Sequence, residues 1–432
     1  MVDNEALTGA FLLYTQYMKR RVSELLRWSE KYTQTDMVYL AKGGFWLVAG
    51  QAGAALLAFV FSIVVANYIS PYLYGSYKYV MSVVSIIGAF SLTGLGTTIV
   101  RKVAQGDETA LRRGFGRSLL WNIPMVLAFC AVSGYYVYRG DYILSTAIFI
   151  AGVATALINS ASLFNAYWNG KKDFARQSMY WSIANTLATV AVIVMFLFTD
   201  NIAVLIGVFF MISALANVSL YFYTLRKVHE TTYTPDALES KDAFHQSVIN
   251  FLNTIASNID KIIVFHLLGT VQLAVYSFAL AMPEQIRNTL KAGARLALPR
   301  YAEQSFTNIQ KFIGPKMFRF GLLILGMIVV YCLVAPFVFT YLFPAYHDSV
   351  PYSQIIALSL IGIIGTAPLS ALQAHAKHRS LYIHAIVSNI IQIMSTVVLT
   401  LWLGLWGAVI ALVGNRLLGM VLPWLLLKHE VG

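Results

Sequence analysis

Seven charged side chains interrupt stretches that are otherwise apolar: Asp260 and Lys261, then Glu284, Arg287, Lys291 and Arg295, and finally Arg416. A charge at the centre of a hydrocarbon layer costs about 2.5–3.5 kcal/mol or more, so such residues are rare there and mark ligand or ion pathways. Five of the seven are cations and two are anions. Wound as a helix at about 100° per residue, Glu284, Arg287, Asn288, Lys291 and Arg295 share one stripe with Ser277. Arg287–Lys291 and Lys291–Arg295 are like-charged i,i+4 pairs, which repel. That stripe needs water and an anion in front of it. Guanidinium and ammonium groups both bind phosphate oxygens, so a phosphate-bearing ligand is the predicted chemistry.

A second polar face runs through Asn250, Asn253, Thr254, Ser257 and Lys261, with Asp260 at its edge. We expect it to meet the first face and Arg416 at one wet cavity. The competing reading is a set of buried ion bridges that lock the helices, but five cations cannot all be absorbed by two anions. Asp260 admits two roles, counter-ion to an arginine such as Arg287 or Arg416, or carrier of a coupling proton or sodium ion. Glu284 admits the same two. Pro283, next to Glu284, is the expected gating bend. His375, His378 and His384 are spaced as a metal site could be, but no carboxylate or cysteine joins them, so no metal is expected. No Ser–His–Asp cluster, phosphate-cradling loop or pair of catalytic carboxylates occurs, and no cofactor is expected. Cys130 and Cys332 sit in apolar runs and read as small hydrophobes.

The elements that must position these residues follow from composition. Of 432 residues, 58% are hydrophobic and 12% charged, about half the charge of a soluble domain. The apolar residues fall into twelve segments, roughly 45–68, 77–100, 118–138, 142–168, 179–198, 202–224, 248–268, 273–298, 317–343, 352–374, 381–402 and 404–427. Most reach the ~20 residues that cross ~30 Å of hydrocarbon, and only helices satisfy their own backbone there. The class is therefore an all-α polytopic membrane protein. With the N-terminus inside, the loops on its side carry 24 Lys and Arg and the opposite loops carry two, Lys78 and Arg139. Positive residues stay cytoplasmic, so both termini are predicted cytoplasmic. The net charge of +12 is explained by those loops, and no nucleic-acid partner is implied.

Residues 1–43 are an amphipathic cytoplasmic segment, in which Val22, Leu25, Leu26 and Trp28 share helical spacing among basic neighbours. No cleaved leader is expected, since the first apolar run is late and long. The loop 225–247 divides the spans into an N-lobe, 44–224, and a C-lobe, 248–428. A shift of 199 residues places Tyr77 on Tyr276 and Tyr79 on Phe278, a faint internal repeat of the kind many transporters carry.

Several stretches carry a family resemblance: YLYGSYKYVMSV, GLGTTIVRKVA, NIDKIIVFHLLGTVQLAVYSFAL, ALPRYAEQ and GLWGAVIALV. The chain from about residue 40 to 427 resembles the polysaccharide-exporter (Wzx-type) branch of the multidrug/oligosaccharidyl-lipid/polysaccharide flippase superfamily. That resemblance implies twelve spans in two six-helix lobes around a central cavity. It implies an inner-membrane protein of a bacterium or archaeon that moves undecaprenyl-diphosphate-linked oligosaccharide, a repeat unit of O-antigen (lipopolysaccharide) or exopolysaccharide, by alternating access. A polysaccharide polymerase and a chain-length regulator are the protein partners it implies, and H+ or Na+ the coupling ion. The family's cationic cavity maps by position onto Arg101, Lys261, Arg287, Lys291, Arg295 and Arg416, and the sugar would meet Asn159, Asn165, Asn185 and Asn253. Three rivals stand beside this reading. A multidrug exporter of the same fold wants carboxylates for cationic drugs, a peptidoglycan-precursor exporter is chemically close, and a polymerase or ligase wants a large outer loop that is missing here.

Overall fold

Backbone groups in hydrocarbon have no water to bond, so each segment must close its own hydrogen bonds. The computed structural model describes residues 37–91, 94–229, 241–295, 306–375 and 378–429, and among them every regular element is helical. Joined across their bends, the helices make twelve rods. The first six are α1 (Met37–Tyr68), α2 (Pro71–Gly88, then Leu95–Ala104), α3 (Ala110–Trp121, then Ile123–Tyr138), α4 (Tyr142–Ala161, then Phe164–Gly170), α5 (Phe174–Phe196) and α6 (Ile202–Leu225). The second six are α7 (Lys241–Leu268), α8 (Thr270–Arg295), α9 (Phe306–Leu342), α10 (Pro344–Ser349, Val350–Leu358, Ser359–Gly365 and Thr366–Ala374), α11 (His378–Leu403) and α12 (Leu405–His429). Among the described residues, nine helices are long and apolar enough to cross a membrane. Residues 1–36 of the predicted amphipathic segment 1–43 and most of the linker, 230–240, lie outside the described residues.

Local sequence explains where the rods start. Ser70 caps α2 by accepting from the Leu73 amide, and Pro71 occupies the first turn, where its missing N–H costs nothing. Asp141, Asp173 and Asn201 accept from the amides that open α4, α5 and α6. Gly269, at φ +90°, makes the one-residue turn from α7 to α8, a conformation that side chains with a Cβ resist. The cap and proline before α2 correct the sequence reading of that span. The helix begins at Pro71 rather than near residue 77, so Lys78 is two turns inside it and is no loop residue.

Two features set the geometry of the centre. The first is α2, which packs on α7 and α8 of the other lobe. A Cβ on Gly75 would strike the backbone carbonyl of Thr270, so glycine permits this approach. Aromatic rings pack around it: Tyr74 lies 4.9 Å from Phe278, Phe278 stacks on Tyr346 at 3.8 Å, and Tyr79 stacks on Phe265 at 3.7 Å. The second is the tight 3₁₀ stretch Ser359–Gly365 inside α10, where Gly362 and Gly365 lie against the α12 backbone at Arg416 and Gly419. Such stretches within a span carry poorer hydrogen-bond geometry and mark places that bend.

Candidate functional site

The first half of the α8 polar stripe faces inward. Ser277, Glu284 and Arg287 line a cavity of about 560 Å³ between the lobes, together with Asp260 and Lys261 of α7 and Arg416 of α12. Lys78 of α2 reaches the same cavity from the other lobe. Four cations thus meet two carboxylates.

Glu284 joins the two arginines. Its Oε1 accepts from Arg287 Nη1 at 3.0 Å and its Oε2 from Arg416 Nη2 at 2.6 Å. Arg416 also donates through Nη1 to Ser359 Oγ of the α10 3₁₀ stretch at 3.0 Å. One carboxylate is shared by two guanidiniums, so the trio keeps a positive charge. Lys261 Nζ donates to the Ser257 carbonyl at 3.0 Å and to Asn258 Oδ1 at 3.2 Å, both neutral acceptors that leave its charge in place. Lys78 Nζ lies 5.2 Å from the centre of the Tyr74 ring, a cation–π contact, and pairs with no carboxylate among the described residues.

Asp260 departs from one of its two predicted roles. Its carboxylate is 3% exposed and makes no ion pair with Arg287 or Arg416 among the described residues. Tyr276 OH donates to its Oδ2 at 2.7 Å, and its Oδ1 is buried without a partner. The counter-ion to both arginines is Glu284. The reason is spacing: Glu284 stands one turn from Arg287 on α8, whereas Asp260 is turned toward Tyr276, near the start of α8. Tyr276 and Tyr77 each sit six residues into the second rod of their lobe, where the internal repeat placed them.

The remaining sequence candidates scatter. Lys291 lies one turn nearer the C-terminal end of α8 and does not line the cavity. Arg101 is exposed in the last turn of α2 and lines none of the cavities described here. The side chain of Arg295 lies outside the described residues. Pro283 is buried inside α8 directly before Glu284. Asn253 is exposed on α7, away from the other asparagines. Asn159, Asn165 and Asn185 do come together, in a separate cleft of about 600 Å³ within the first lobe that also holds Gln177, Trp181 and Asn217. Sequence reasoning missed Lys78, Tyr276, Ser359, Gln177 and Asn217. Only Lys78 left a signal, the Ser-Pro start of its helix. Among the described residues, no group of three or more His, Cys, Asp or Glu side chains could hold a metal ion.

One rim of the first lobe is tied by Glu108, in the turn after α2. It accepts from Tyr167 OH at 2.8 Å and from the His229 amide at 3.1 Å, and it pairs with Lys171. Burial pushes its carboxyl up, but the hydrogen bonds from Lys171, Tyr167 and the His229 amide outweigh that and hold it below the usual range.

The profile of a family described as polysaccharide biosynthesis protein matches residues 40–290. Three similar solved structures are a multidrug resistance MATE family transporter of the MOP superfamily in an inward-facing conformation, the lipid II flippase MurJ in an inward closed conformation, and a MOP superfamily transporter from Pyrococcus furiosus described as having a binding pocket of reverse polarity. The first has TM-score 0.65 and 14% identity over 88% of this chain and 94% of that one. MurJ has TM-score 0.68 and 9% identity over 90% and 88%. The Pyrococcus furiosus transporter has TM-score 0.60 and 12% identity over 90% and 94%. At such identities the likeness shows the fold, two six-helix lobes around a central cavity. No curated protein sequence matches the chain.

Proposed function

The chain belongs to the polysaccharide biosynthesis protein family, and from that premise we propose that it is a flippase for an undecaprenyl-diphosphate-linked oligosaccharide. It is a multi-pass membrane protein with the fold of the MOP-superfamily transporters. The observation that carries the finer reading is the sign of the cavity: Lys78, Lys261, Arg287 and Arg416 face two carboxylates, one of which serves two guanidiniums. A buried surplus of cations is costly without an anion, and a diphosphate presents several charged oxygens in the spacing that guanidiniums grip.

In this mechanism the diphosphate enters from the cytoplasmic side and competes with Glu284 for Arg287 and Arg416. Lys261 and Lys78 close on it from α7 and α2, while the lipid tail stays in the bilayer. Because Lys78 belongs to the first lobe and the arginines to the second, the bound anion is gripped by both lobes at once. Opening to the outside parts the contacts of α2 with α7 and α8, and the anion is released as the two sets of cations separate. Asp260, held by Tyr276 and without an arginine partner among the described residues, is where a coupling proton or sodium ion binds. The lobe boundaries at 44–224 and 248–428, the cytoplasmic termini, the inner-membrane location and a polymerase that consumes the flipped unit, with its chain-length regulator, belong to the same proposal. A cationic-drug exporter is disfavoured by the sign of the cavity.

The test is complementation of a flippase-null strain. Wild type restores polymer export, and Arg287→Ala, Arg416→Ala and Lys78→Met each reduce it at equal protein level. Export that survives all three substitutions refutes the site. A strain depleted of its peptidoglycan-precursor exporter is the second arm, and rescue there instead reassigns the lipid-linked cargo.

A further inference from the structure

We propose that the cleft inside the first lobe is a binding site for uncharged sugar and that it sets which glycan the protein carries; the proposal rests on the flippase reading above. Three amide nitrogens there each give one N–H to the backbone. Asn165 Nδ2 donates to the Ser162 carbonyl at 3.1 Å, Asn185 Nδ2 to the Trp181 carbonyl at 2.7 Å, and Asn217 Nδ2 to the Ser213 carbonyl at 2.8 Å. A backbone carbonyl only accepts, so these contacts fix which way each amide is turned and leave the side-chain oxygens as acceptors. Asn165 Oδ1 and Gln177 Oε1 are both buried and have no partner. Buried acceptors are nearly always satisfied in folded proteins, so two in one cleft point to donors that arrive with a ligand.

Pyranose hydroxyls are such donors, and the apolar face of the ring can lie against Trp181, which lines the same cleft. Among the described residues, no charged side chain lines it. A sugar carboxylate would meet only neutral groups there and no cation among the described residues, which selects against acidic sugars. The cleft also adjoins the cationic cavity through an intermediate space. Trp181 and Asn185 border an intermediate space of about 750 Å³, and Ala58 and Phe61 of α1 border both that space and the cationic cavity. Diphosphate and sugar can therefore be held at once, the phosphate by charge and the sugar by neutral acceptors.

Binding to the purified full-length protein in lipid nanodiscs tests this, read by tryptophan fluorescence. The probes are undecaprenyl diphosphate alone and the same lipid carrying chitobiose, lactose or a glucuronate-containing disaccharide. We expect at least one uncharged glycolipid to bind about tenfold tighter than the bare lipid, and the glucuronate probe to gain less than threefold. The double substitution Asn165→Ala with Gln177→Ala, and separately Asn217→Ala, cut the uncharged gain below threefold, whereas Arg416→Ala weakens every probe alike. The proposal is overturned if neither uncharged sugar adds affinity, if glucuronate adds as much, or if the gain survives both sets of substitutions. The wild-type comparison decides even where a variant fails to fold. Absence of binding by the bare lipid and by every glycolipid refutes the flippase reading and this site with it, an outcome distinct from bare lipid bound with no gain from sugar.

Discussion

Lys78 separates a role in binding from a role in holding the fold, because it has no carboxylate to lose. Its ammonium sits within a span, two turns into α2, with the Tyr74 ring 5.2 Å away as its visible compensation. Placing a lysine at such depth costs about 2.5–3.5 kcal/mol. A cation–π contact returns about 0.5–2 kcal/mol. Lys78→Met keeps the length of the side chain and removes the charge, so the ligand-free protein should be stabilised by about 0.5–3 kcal/mol, the difference of those two estimates. For the diphosphate the sign is opposite. A hydrogen bond to a charged group contributes about 1.5–3 kcal/mol, so its loss weakens binding by roughly 10- to 150-fold. The assay pairs a thermal unfolding series in nanodiscs with a titration of undecaprenyl diphosphate on the same preparations. A midpoint that stays level or rises while affinity falls supports the cavity assignment. A lower midpoint with unchanged affinity shows that Lys78 is a structural residue and that the phosphate does not bind between the lobes.

Three further outcomes follow from the contacts. Glu284→Gln removes the shared counter-ion of Arg287 and Arg416. The carboxylate is 34% exposed, so the 3–5 kcal/mol of a fully buried pair is discounted to about 1–3 kcal/mol of lost stability, checked by thermal unfolding; restoration of the midpoint by added pyrophosphate ties that loss to the anion site. Gly362→Val forces a side chain into the Arg416 backbone, so export should fall in the complementation assay, while Gly326→Val, whose Cβ would meet open space, leaves export near wild type. Glu108 titrates below its unfolded value, so its contribution to stability is present above about pH 4.5 and is lost as pH falls through the lower folded value. Glu108→Gln should therefore flatten the acid limb of a stability profile taken from pH 6 to about pH 3, and an unchanged acid limb would remove Glu108 from the rim clamp.

Much of this architecture was legible in residue order. Span count follows from run length and from the segregation of Lys and Arg, because both report the energy of one chain segment against lipid and water, with no need to know its neighbours. The α8 stripe was legible for a similar reason, since helical periodicity alone decides that Glu284 and Arg287 share a face. The same logic failed where a local cap outweighed hydropathy. Ser70 and Pro71 start α2 early and draw Lys78 from an apparent loop into the cavity wall.

What residue order could not supply was pairing. Asp260 and Glu284 are both acids near arginines in sequence terms, and nothing local distinguishes them. Packing does: α8 and α12 bring Arg287 and Arg416 to one carboxylate, and Tyr276 takes the other. Nor could sequence separate the asparagines, of which three gather in the first-lobe cleft and Asn253 stands apart on α7. Transfer between water and lipid is additive along the chain, so sequence determined that this protein spans a membrane and carries a cationic helix face. Which charges neutralise one another depends on distances between helices far apart in sequence, and those are fixed only when the glycine contacts of α2 with α8 and of α10 with α12 have closed.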